Sequence, residues 1–524
     1  MTQVAFTAPH HIAANTGLAV LQKGGTACEA MVAAAAMIAV QYPHMNSIGG
    51  DNFWLISEAG KPPIAIDGCG AAALSIEPDS YREQGIPDSG GAAAITMAGT
   101  VAAWHKALRH NHSGMALQDL LLPAAKAASE GIEVTASLAQ ASSKTFARLA
   151  GIPAFAEIFL NHGQPLQVGD IVKNPRLGAT LTQLATFGLD SFYRGELAES
   201  IARDLAQLGS PLRLADLHEH QARVAEPLRV TTSQANLYNH DAPTQGVASL
   251  LILAIYDRLA HRVRSEADHV HLLVEATKQA FIIRDREVVD RQALRQPLQQ
   301  WLTDAVIEQC VQQIDMQRAL PWPHVAKLGD TVWMGATDQY GTMVSFIQSV
   351  YWEFGSGAVL PSSGIVWNNR GKGFAVAAEH PNVLTAGKKP FHTLNPAYAE
   401  LLDGRRMVYG TMGGEGQPQT QACIFTRHIY QQKTLADALA EPRWLLGRTW
   451  GDDTHQLRLE QQLYQSLATP LAARGHELTA VADNNELMGH AGAIVLDTQG
   501  KACAASDPRS DGLGVHGEKH NEYV

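Results

Sequence analysis

The chain has 524 residues, of which 46% are hydrophobic and 17% are charged, and its formal net charge is −11. Its basic residues are scattered, which argues against the basic surface that neutralises nucleic-acid phosphates. No segment offers the roughly 18 consecutive apolar residues of a membrane span. We therefore expect neither nucleic acid nor a membrane as a partner. The length suggests more than one domain, although a large single α/β unit also reaches this size.

The first residues and the cysteines bear on the cellular compartment. The N-terminus, MTQVAFTAPHHIAANTG, lacks the basic start and the unbroken apolar run of a secretory signal. The five cysteines stand far apart, and an odd number without a secretory signal is typical of reduced thiols. We therefore expect a cytoplasmic protein.

Helical patterns dominate the first 330 residues. Residues 28–39 are Ala-rich and nearly all apolar, which predicts a buried helix. Residues 268–290 have apolar residues at helical spacing, which predicts a long amphipathic helix. In that helix His269 and His271 would point about 200° apart, so we expect solvated or capping histidines and no metal site. The stretch LPWPHVAKLGD, just before Thr331, predicts an exposed linker.

The pattern changes at Thr331, where a β-hairpin is predicted. TVWMGATD and GTMVSFIQSV are rich in β-branched and aromatic residues. Between them, Asp338 and Gly341 suit the first and fourth positions of a type I turn. Folding the chain about this turn brings Thr331 opposite residues 348 and 349. Thr331 is therefore expected at the start of a strand, with Ser349 as a near neighbour.

Thr331 suits one known route to an activated hydroxyl group. A threonine hydroxyl is a weak nucleophile and needs a base, which can be its own α-amine if the residue is at a chain terminus. That amine has a pKa of about 8, so a useful fraction is neutral in the cell. An internal threonine reaches this state only after cleavage of the preceding peptide bond, here between Asp330 and Thr331. By strand propensity alone, a threonine after an Asp or Gly turn is an ordinary strand start.

Several distinct motifs are spread along most of the chain. They include NTGLAVLQKGGTACEAMVAAA, PHMNSIGGDNFWL, HLLVEATKQAFIIRDR, GKKPFHTLNPA and GTMGGEGQPQ. With the hairpin, these motifs resemble the γ-glutamyltranspeptidase family of N-terminal-nucleophile hydrolases over roughly 500 residues. The resemblance implies an α+β fold, a four-layer αββα sandwich built from a large fragment 1–330 and a small fragment 331–524 of one self-cleaved precursor. It also implies that no metal or organic cofactor is needed, and that two such units could form a dimer.

By position, the resemblance implies roles in the chemical step. Thr331 matches the nucleophile, and cleavage falls between it and Asp330. Ser349 matches a hydroxyl residue that orients the nucleophile. Gly413 and Gly414 match the pair whose backbone N–H groups hold the oxyanion, a task that suits glycine because its backbone can approach the substrate closely.

Two positions depart from the family's pattern for a γ-glutamyl substrate. The arginine that meets the α-carboxylate is replaced by Cys69, and the acidic residue that meets the α-ammonium is replaced by Gly373. A charge-assisted hydrogen bond contributes about 1.5–3 kcal/mol. Losing both partners predicts γ-glutamyl binding weaker by roughly two to four orders of magnitude. A slip of a few residues in the loop alignment is the alternative explanation.

Other residues of the same segments suit a small anionic amide. Arg370 stands where the family has an uncharged amide side chain, and arginine can grip a carboxylate in bidentate fashion. Tyr351, His392 and Thr393, together with Cys69, are predicted to line the substrate site around it. From composition alone, Arg370 would be an ordinary solvated cation in a loop. Among the family's branches, the chain looks most like the oxamate amidohydrolases, which implies hydrolysis of oxamate to oxalate and ammonia through an acyl ester on the threonine.

Two other functions stay open at this point. One is a glutathione hydrolase or γ-glutamyltransferase that recognises its substrate through other residues. The other is an inactive family member that serves as a scaffold. The joint presence of Thr331, Ser349 and the Gly413–Gly414 pair argues against the scaffold.

Overall fold

The computed structural model describes residues 3–322, 330–447 and 455–517. The twenty strands of the described residues are β1 (Val4–Ala8), β2 (Asp51–Ser57), β3 (Ile64–Gly68), β4 (Ile132–Glu133), β5 (Leu160–Asn161), β6 (Gln164–Pro165), β7 (Ile171–Val172), β8 (Arg223–Ala225), β9 (Leu228–Thr231), β10 (Ala235–Asn239), β11 (Asp330–Thr337), β12 (Met343–Tyr351), β13 (Ala397–Leu401), β14 (Arg406–Thr411), β15 (Trp444–Leu446), β16 (Leu457–Glu460), β17 (Leu478–Val481), β18 (Ala491–Leu496), β19 (Ala502–Ser506) and β20 (Leu513–Gly517).

The same residues form sixteen α-helices, which are α1 (His11–Gln22), α2 (Ala27–Gln41), α3 (Asp79–Gln84), α4 (Thr100–His110), α5 (Leu117–Glu130), α6 (Ala136–Leu149), α7 (Pro153–Phe159), α8 (Pro175–Phe187), α9 (Glu196–Gln207), α10 (Leu214–Glu219), α11 (Gly246–Leu259), α12 (Glu266–Glu287), α13 (Asp304–Gln312), α14 (Gln417–Phe425), α15 (Leu435–Ala440) and α16 (Gln461–Ala473).

Two large antiparallel sheets form the centre of the protein. The first has the strand order β20-β1-β11-β12-β2-β3-β8, and the second has the order β19-β18-β14-β13-β10-β9. Each sheet takes strands from both sides of the Asp330–Thr331 bond. Neither side of that bond therefore contains a complete sheet.

The sheets pack face to face, with helices on both outer faces. Trp333 and Ile347 of the first sheet share a buried cluster with Val408 and Ile494 of the second. Helices α1, α2 and α4 pack on the outer face of the first sheet, and α11 and α14 pack on that of the second. This arrangement confirms the predicted α+β fold with four αββα layers.

Strand β11 is buried on both faces because it lies in the middle of the sandwich. Val332 and Met334 pack toward the helices, whereas Trp333 packs between the sheets. This position explains the continuous apolar run in the sequence, since a strand covered on both sides needs no polar face. Gly410 on the facing sheet makes room for the indole, because a Cβ there would lie 2.2 Å from Cδ1 of Trp333.

The predicted hairpin and the first predicted helix are confirmed. Strands β11 and β12 pair in the expected register, with Val332 opposite Gln348. The amide of Gly341 donates to the carbonyl of Asp338 over 3.0 Å, which closes the turn. Helix α2 is buried along its whole length, and a capping box at Thr26 begins it.

Helix α12 is present, but the prediction that it is amphipathic is wrong. Its polar residues are buried together with its apolar ones, because other parts of the protein cover it on several sides. His269 and His271 are among these buried residues, so the expectation that they are solvated or capping residues is also wrong. The predicted exposed linker lies mainly in residues 323–329, outside the described residues.

Candidate active site

Three neighbouring strands bring Thr331, Ser349 and Asp51 to one end of the first sheet. Ser349 on β12 pairs with Asp51 on β2, while β11 begins on the other side of β12. Side chains alternate along a strand, so Ser349 lies on the same face as Ile347, and Asp51 on the same face as Phe53. Both of those apolar residues belong to the core between the sheets. The site therefore lies between the two sheets.

The Asp330–Thr331 bond lies at an irregularity of the first sheet. Strand pairing shifts register between Asp330 and Val332, as at a β-bulge. The hydroxyl of Ser349 donates a short hydrogen bond to the carbonyl of Asp330 and accepts one from the amide of Tyr351 over 2.8 Å. The hydroxyl of Thr331 is buried and has no hydrogen-bond partner among the described residues. The predicted nucleophile thus directly follows a carbonyl group that a hydroxyl polarises.

The carboxyl group of Asp330 lines a small acidic cavity of about 50 Å³. Glu353, Glu486 and Lys144 line the same cavity. Burial and the two neighbouring glutamates raise the pKa of Asp330 well above its ordinary value. Burial also raises the pKa of Glu353, to about 7. The uncleaved chain therefore keeps the Asp330 carboxyl neutral beside the bond to be broken.

Arg370 is buried in the site, so its description as a solvated loop cation is wrong. Its side chain is 1% exposed. Its guanidinium carbon lies 4.0 Å from the ring centre of Tyr351, a cation–π distance, and its Nη2 lies 3.4 Å from Oγ of Ser349. Its Nη1 has no hydrogen-bond partner among the described residues. The guanidinium group of Arg370 therefore borders Tyr351 and Ser349, close to the Asp330–Thr331 bond.

The backbone of Tyr351 shows how this contact is built. Its φ of +84° lies in the left-handed region, which is strained for a side chain of this size. Such strain persists only where the surroundings enforce it, and it often marks a functional site. Here the strained residue ends β12 and places its ring against Arg370.

The predicted site residue Cys69 and the nearby cation Lys372 contribute no charge to the site. Cys69 is fully buried, and burial raises the pKa of its thiol well above the ordinary value, so the group stays neutral. Lys372 lies close to Arg370 in sequence, but its amine pairs with Asp88 at 2.7 Å and donates to the carbonyl of Ile86 at 2.9 Å. Of these two cations, Arg370 is therefore the one whose side chain reaches Ser349.

His392 lies beside Asp51. Asp51 is a candidate site residue that the sequence analysis did not identify. Nε2 of His392 is 3.4 Å from Oδ2 of Asp51. Burial, reinforced by Arg370, lowers the pKa of His392 well below its ordinary value, so the ring is neutral. Burial raises the pKa of Asp51 to about 6, although Arg370 opposes this shift. The available signal was an acidic residue directly after Gly49-Gly50, at the start of a buried strand.

Gly413 and Gly414 follow β14, so they come from the second sheet. Their φ values are +118° and +54°, a left-handed conformation that glycine adopts without strain. The carbonyl of Gly414 accepts a hydrogen bond from Nε2 of Gln245 at 2.9 Å, and the same amide donates to the carbonyl of Thr393 at 2.7 Å. Arg284 in turn donates to Oε1 of Gln245 at 2.9 Å. Gln245, also missed in the sequence, thus ties the glycine loop to the predicted substrate segment.

A histidine–carboxylate group with metal-ligand spacing lies elsewhere in the protein. Within the described ranges, the ligand atoms of His271, Glu275 and His476 lie within 4.8 Å of one another. His271 bonds to His476 at 2.8 Å and to the carbonyl of Asp315 at 2.8 Å, while Glu275 pairs with Lys278 at 2.6 Å. The possible ligand atoms already bond to protein groups, and the ammonium of Lys278 lies among them. We regard the group as a structural hydrogen-bond network.

Helix length and polarity also bear on the membrane question. Within residues 3–322, 330–447 and 455–517, no helix combines the length and the apolar character that crossing a bilayer requires.

An αββα sandwich with a threonine at the start of a central strand, between two sheets, is the architecture of the N-terminal-nucleophile hydrolases. The sequence profile described as gamma-glutamyltranspeptidase matches residues 13–516. The chain therefore belongs to the γ-glutamyltranspeptidase family. It is an enzyme of that family's kind, an N-terminal-nucleophile hydrolase that acts on amides and is made as a self-cleaving proenzyme.

Individual relatives agree with this assignment. The chain is 49% identical over 513 residues to the oxamate amidohydrolase proenzyme of Klebsiella pneumoniae, covering 97% of each chain. It is 34% identical to the glutathione hydrolase-like YwrD proenzyme of Bacillus subtilis, covering 98% of each. Among solved structures, the cephalosporin acylase of Bacillus halodurans superposes with a TM-score of 0.89 at 28% identity, covering 98% of this chain and 96% of the other.

Proposed function

We propose that this enzyme hydrolyses a small anionic amide, with oxamate as the substrate and oxalate and ammonia as the products. The observation that carries the proposal is the buried Arg370, which has an unpartnered Nη1 and lies beside Ser349. A buried cation at this place favours a substrate whose carboxylate lies close to the amide that reacts. The 49% identity to an oxamate amidohydrolase supports the same substrate.

In the proposed self-cleavage, the precursor acts on its own backbone. The hydroxyl oxygen of Thr331 attacks the carbonyl carbon of Asp330, and the bond from that carbon to the nitrogen of Thr331 breaks. The hydroxyl proton passes to the departing nitrogen, which becomes the free α-amine, and Asp330 is left joined to the side chain of Thr331 by an ester. Water then hydrolyses the ester, releasing residues 1–330 and 331–524 as two fragments. Ser349 donates to the Asp330 carbonyl oxygen, where negative charge develops in the attack.

In the proposed turnover, the freed α-amine of Thr331 acts as the general base. It accepts the hydroxyl proton as the oxygen attacks the amide carbonyl of oxamate. Backbone N–H groups of Gly413 and Gly414 stabilise the tetrahedral oxyanion. The amine passes its proton to the leaving ammonia, and water hydrolyses the oxalyl ester to regenerate the threonine.

Substrate binding is assigned to the side chains around the guanidinium. Arg370 holds the carboxylate of oxamate, stacked on Tyr351. His392 and Thr393 provide neutral polar groups whose side-chain atoms have no hydrogen-bond partner among the described residues. Cys69 provides a neutral, buried wall.

One observation favours γ-glutamyl amides as a second candidate. Arg370 and Asp51 form a buried pair of opposite charge, with Nε of Arg370 3.7 Å from Oδ2 of Asp51. Such a pair could meet the α-carboxylate and α-ammonium of a γ-glutamyl group. The 34% identity to a glutathione hydrolase-like protein points the same way.

A two-substrate assay tests the proposal. Purified, self-cleaved enzyme is given oxamate, with ammonia measured, and a γ-glutamyl anilide, with released aniline measured. We expect turnover of oxamate at a kcat/KM at least about 100-fold above that for the anilide, because the family's usual γ-glutamyl contacts are replaced. Activity on the anilide alone would replace the proposed substrate, and an uncleaved chain inert toward both would indicate a scaffold.

A further inference from the structure

Asp51 lies between Arg370 and His392, two polar residues of the proposed substrate site. It is 1% exposed, at the start of β2 and directly across from Ser349. Its Oδ1 accepts a hydrogen bond from the amide of Gly70 at 3.0 Å. Its Oδ2 faces Nε of Arg370 at 3.7 Å and Nε2 of His392 at 3.4 Å. Both carboxylate oxygens are therefore directed at protein groups.

We propose that Asp51 is a positioning residue that sets Arg370 and His392 for a substrate carrying a carboxylate beside its amide. The inference rests on the proposed function and deepens it, since it explains how the site selects such a substrate. Asp51 itself does not touch the substrate.

Asp51 and Tyr351 together orient the guanidinium group of Arg370. Asp51 faces the Nε side of Arg370, and Tyr351 covers one face of the plane. On the edge that carries Nη1 and Nη2, Nη2 lies 3.4 Å from Oγ of Ser349, and Nη1 has no hydrogen-bond partner among the described residues. A buried arginine without a counterion is strongly unfavourable. Asp51 thus stabilises the charge of Arg370 while leaving Nη1 free to donate to a substrate carboxylate.

Asp51 also influences which tautomer His392 adopts. The ring is neutral, so one nitrogen carries a proton and the other is an acceptor. Nε2 lies 3.4 Å from Oδ2 of Asp51, so the negative charge of Asp51 favours the proton on that nitrogen, although the two atoms do not form a hydrogen bond. Nδ1, which has no hydrogen-bond partner among the described residues, is then an acceptor. Asp51 therefore produces a donor in Arg370 and an acceptor in His392, a set that matches a carboxylate next to an amide N–H group.

The same geometry argues against Asp51 as a binding group for a substrate ammonium. Oδ1 is used by Gly70, and Oδ2 faces two nitrogen-bearing side chains. An ammonium at Oδ2 would compete with Nε of Arg370 and Nε2 of His392, which lie 3.7 Å and 3.4 Å from the same oxygen. The γ-glutamyl alternative involves that competition, whereas a small anionic amide does not.

The proposal has a pH signature in the wild-type enzyme. The titratable groups that face Asp51 from neighbouring elements are Arg370, His392, Lys389, His220, Cys69 and Tyr193. Burial lowers the pKa of His220 to about 4 and that of His392 well below its ordinary value, and burial raises the pKa of Cys69. Asp51, with a pKa of about 6, is therefore the group of this set that changes charge between pH 5 and pH 8. Below pH 6 its charge is lost, so KM for oxamate should rise as pH falls.

The test measures KM and kcat for oxamate between pH 5 and pH 8 in the wild type and in Asp51→Asn. We expect the variant to self-cleave, to raise KM at pH 7.5 about 10- to 100-fold, the value of one charge-assisted contact, and to lose most of the acid rise in KM. Asp51→Glu keeps the charge but lengthens the side chain, so it should retain a pH-dependent KM.

Asp67→Asn is the matched control. Asp67 is also buried, lies on the neighbouring strand β3 and pairs with Lys389 at 2.8 Å. It is expected to keep the acid rise in KM. Glu353 also titrates near pH 7, in the cavity beside Asp330, so a rise caused by Glu353 would persist in Asp51→Asn.

The outcomes separate the two levels of inference. A wild type that does not hydrolyse oxamate overturns the proposed function. An active wild type whose KM is flat from pH 5 to pH 8 overturns the role of Asp51. A cleaved Asp51→Asn enzyme with unchanged KM and an unchanged pH profile does the same. If Asp51→Asn stays uncleaved, the KM profile of Glu353→Gln decides. An acid rise that persists in Glu353→Gln supports the role of Asp51, and a rise that disappears removes it.

Discussion

At the scale of single residues, the site is defined by buried polar atoms that the described protein does not satisfy. The hydroxyl of Thr331, Nη1 of Arg370 and both ring nitrogens of His392 are of this kind. Buried polar atoms are nearly always hydrogen-bonded in folded proteins, because leaving one unpaired costs about 1–3 kcal/mol. A group of such atoms close together is therefore expected where a ligand or a reacting group supplies the missing hydrogen bonds.

Thr331→Ala should abolish both self-cleavage and amide hydrolysis. The change removes the only hydroxyl proposed to attack the carbonyl of Asp330, and the same hydroxyl is the proposed nucleophile of turnover. Denaturing electrophoresis should show one band for the variant and two for the wild type, and N-terminal sequencing of the smaller fragment should begin at Thr331.

Thr337→Ala is the control for this experiment. Thr337 is a buried threonine at the other end of the same strand, so its loss tests the strand without touching the nucleophile. The control should still give two bands. Efficient cleavage of Thr331→Ala at the same bond would mean that another group breaks the chain.

Arg370→Lys should raise KM for oxamate by about 10- to 100-fold while leaving self-cleavage intact. Lysine keeps the charge but replaces the planar fork by a single ammonium, and it loses the stacking on Tyr351. Steady-state kinetics on the cleaved variant measure the effect. Unchanged KM would show that the carboxylate is held elsewhere.

At the scale of elements, two loops and one hairpin bring the reacting groups together. The β11–β12 hairpin places Thr331 beside Ser349, and the strained end of β12 places Tyr351 against Arg370. On the opposite sheet, Gln245 holds the loop after β14 against the segment of Thr393. The relative position of the two sheets therefore determines the distance between nucleophile and oxyanion donors.

Gly413→Ala should lower kcat by about 10- to 100-fold with a smaller change in KM. Its φ of +118° is strained for alanine, at a cost of about 1–3 kcal/mol, and relaxation of the loop would misdirect its N–H groups. A clash is not the cause, because the nearest atom to an added Cβ is Cα of Gly489 at 3.8 Å.

Gly188→Ala is the matched control for the glycine experiment. Gly188 has a φ of +90° and open space around an added Cβ, at the end of α8. It should lower the melting temperature while kcat stays near the wild-type value. Equal losses of kcat in the two variants would indicate a general effect of destabilisation.

At the scale of the whole molecule, the two sides of the predicted cleavage site share both sheets. Strand β11 pairs with β1, and β12 pairs with β2, so hydrogen bonds and buried apolar surface join the parts. Separating them would expose the faces of both sheets, whose burial stabilises the protein by about 25 cal/mol per Å². We therefore expect the two fragments to stay together as one folded unit after cleavage.

The cleaved fragments should co-elute in native size-exclusion chromatography and unfold in one thermal transition. They should separate only in denaturant, where both sheets are lost. A second column run in high salt serves as a control, because apolar contacts and strand pairing resist salt, whereas surface ion pairs do not. Separate elution of the two fragments without denaturant would contradict the shared-sheet arrangement.

Local patterns in the sequence were enough to predict several parts of this protein. The Ala-rich, apolar composition of residues 28–39 predicted helix α2, and turn chemistry predicted the β11–β12 hairpin and its register, because both depend on neighbours along the chain. The ordered motifs predicted the family and the four-layer fold. The same motifs led to Thr331, Ser349 and the two glycines as candidates.

Tertiary structure decided what local patterns could not. The sequence assigned no role to Asp51 or Gln245, because each acts through partners far away along the chain that only strand pairing and sheet packing bring close. It left Arg370 open between a solvated cation and a substrate ligand, and burial against Tyr351 excluded the solvated cation. Helix α12 was predicted to be amphipathic, yet its surroundings bury its polar residues too. Periodicity along one chain describes a segment, whereas burial, charge pairing and ligand geometry depend on what packs against it.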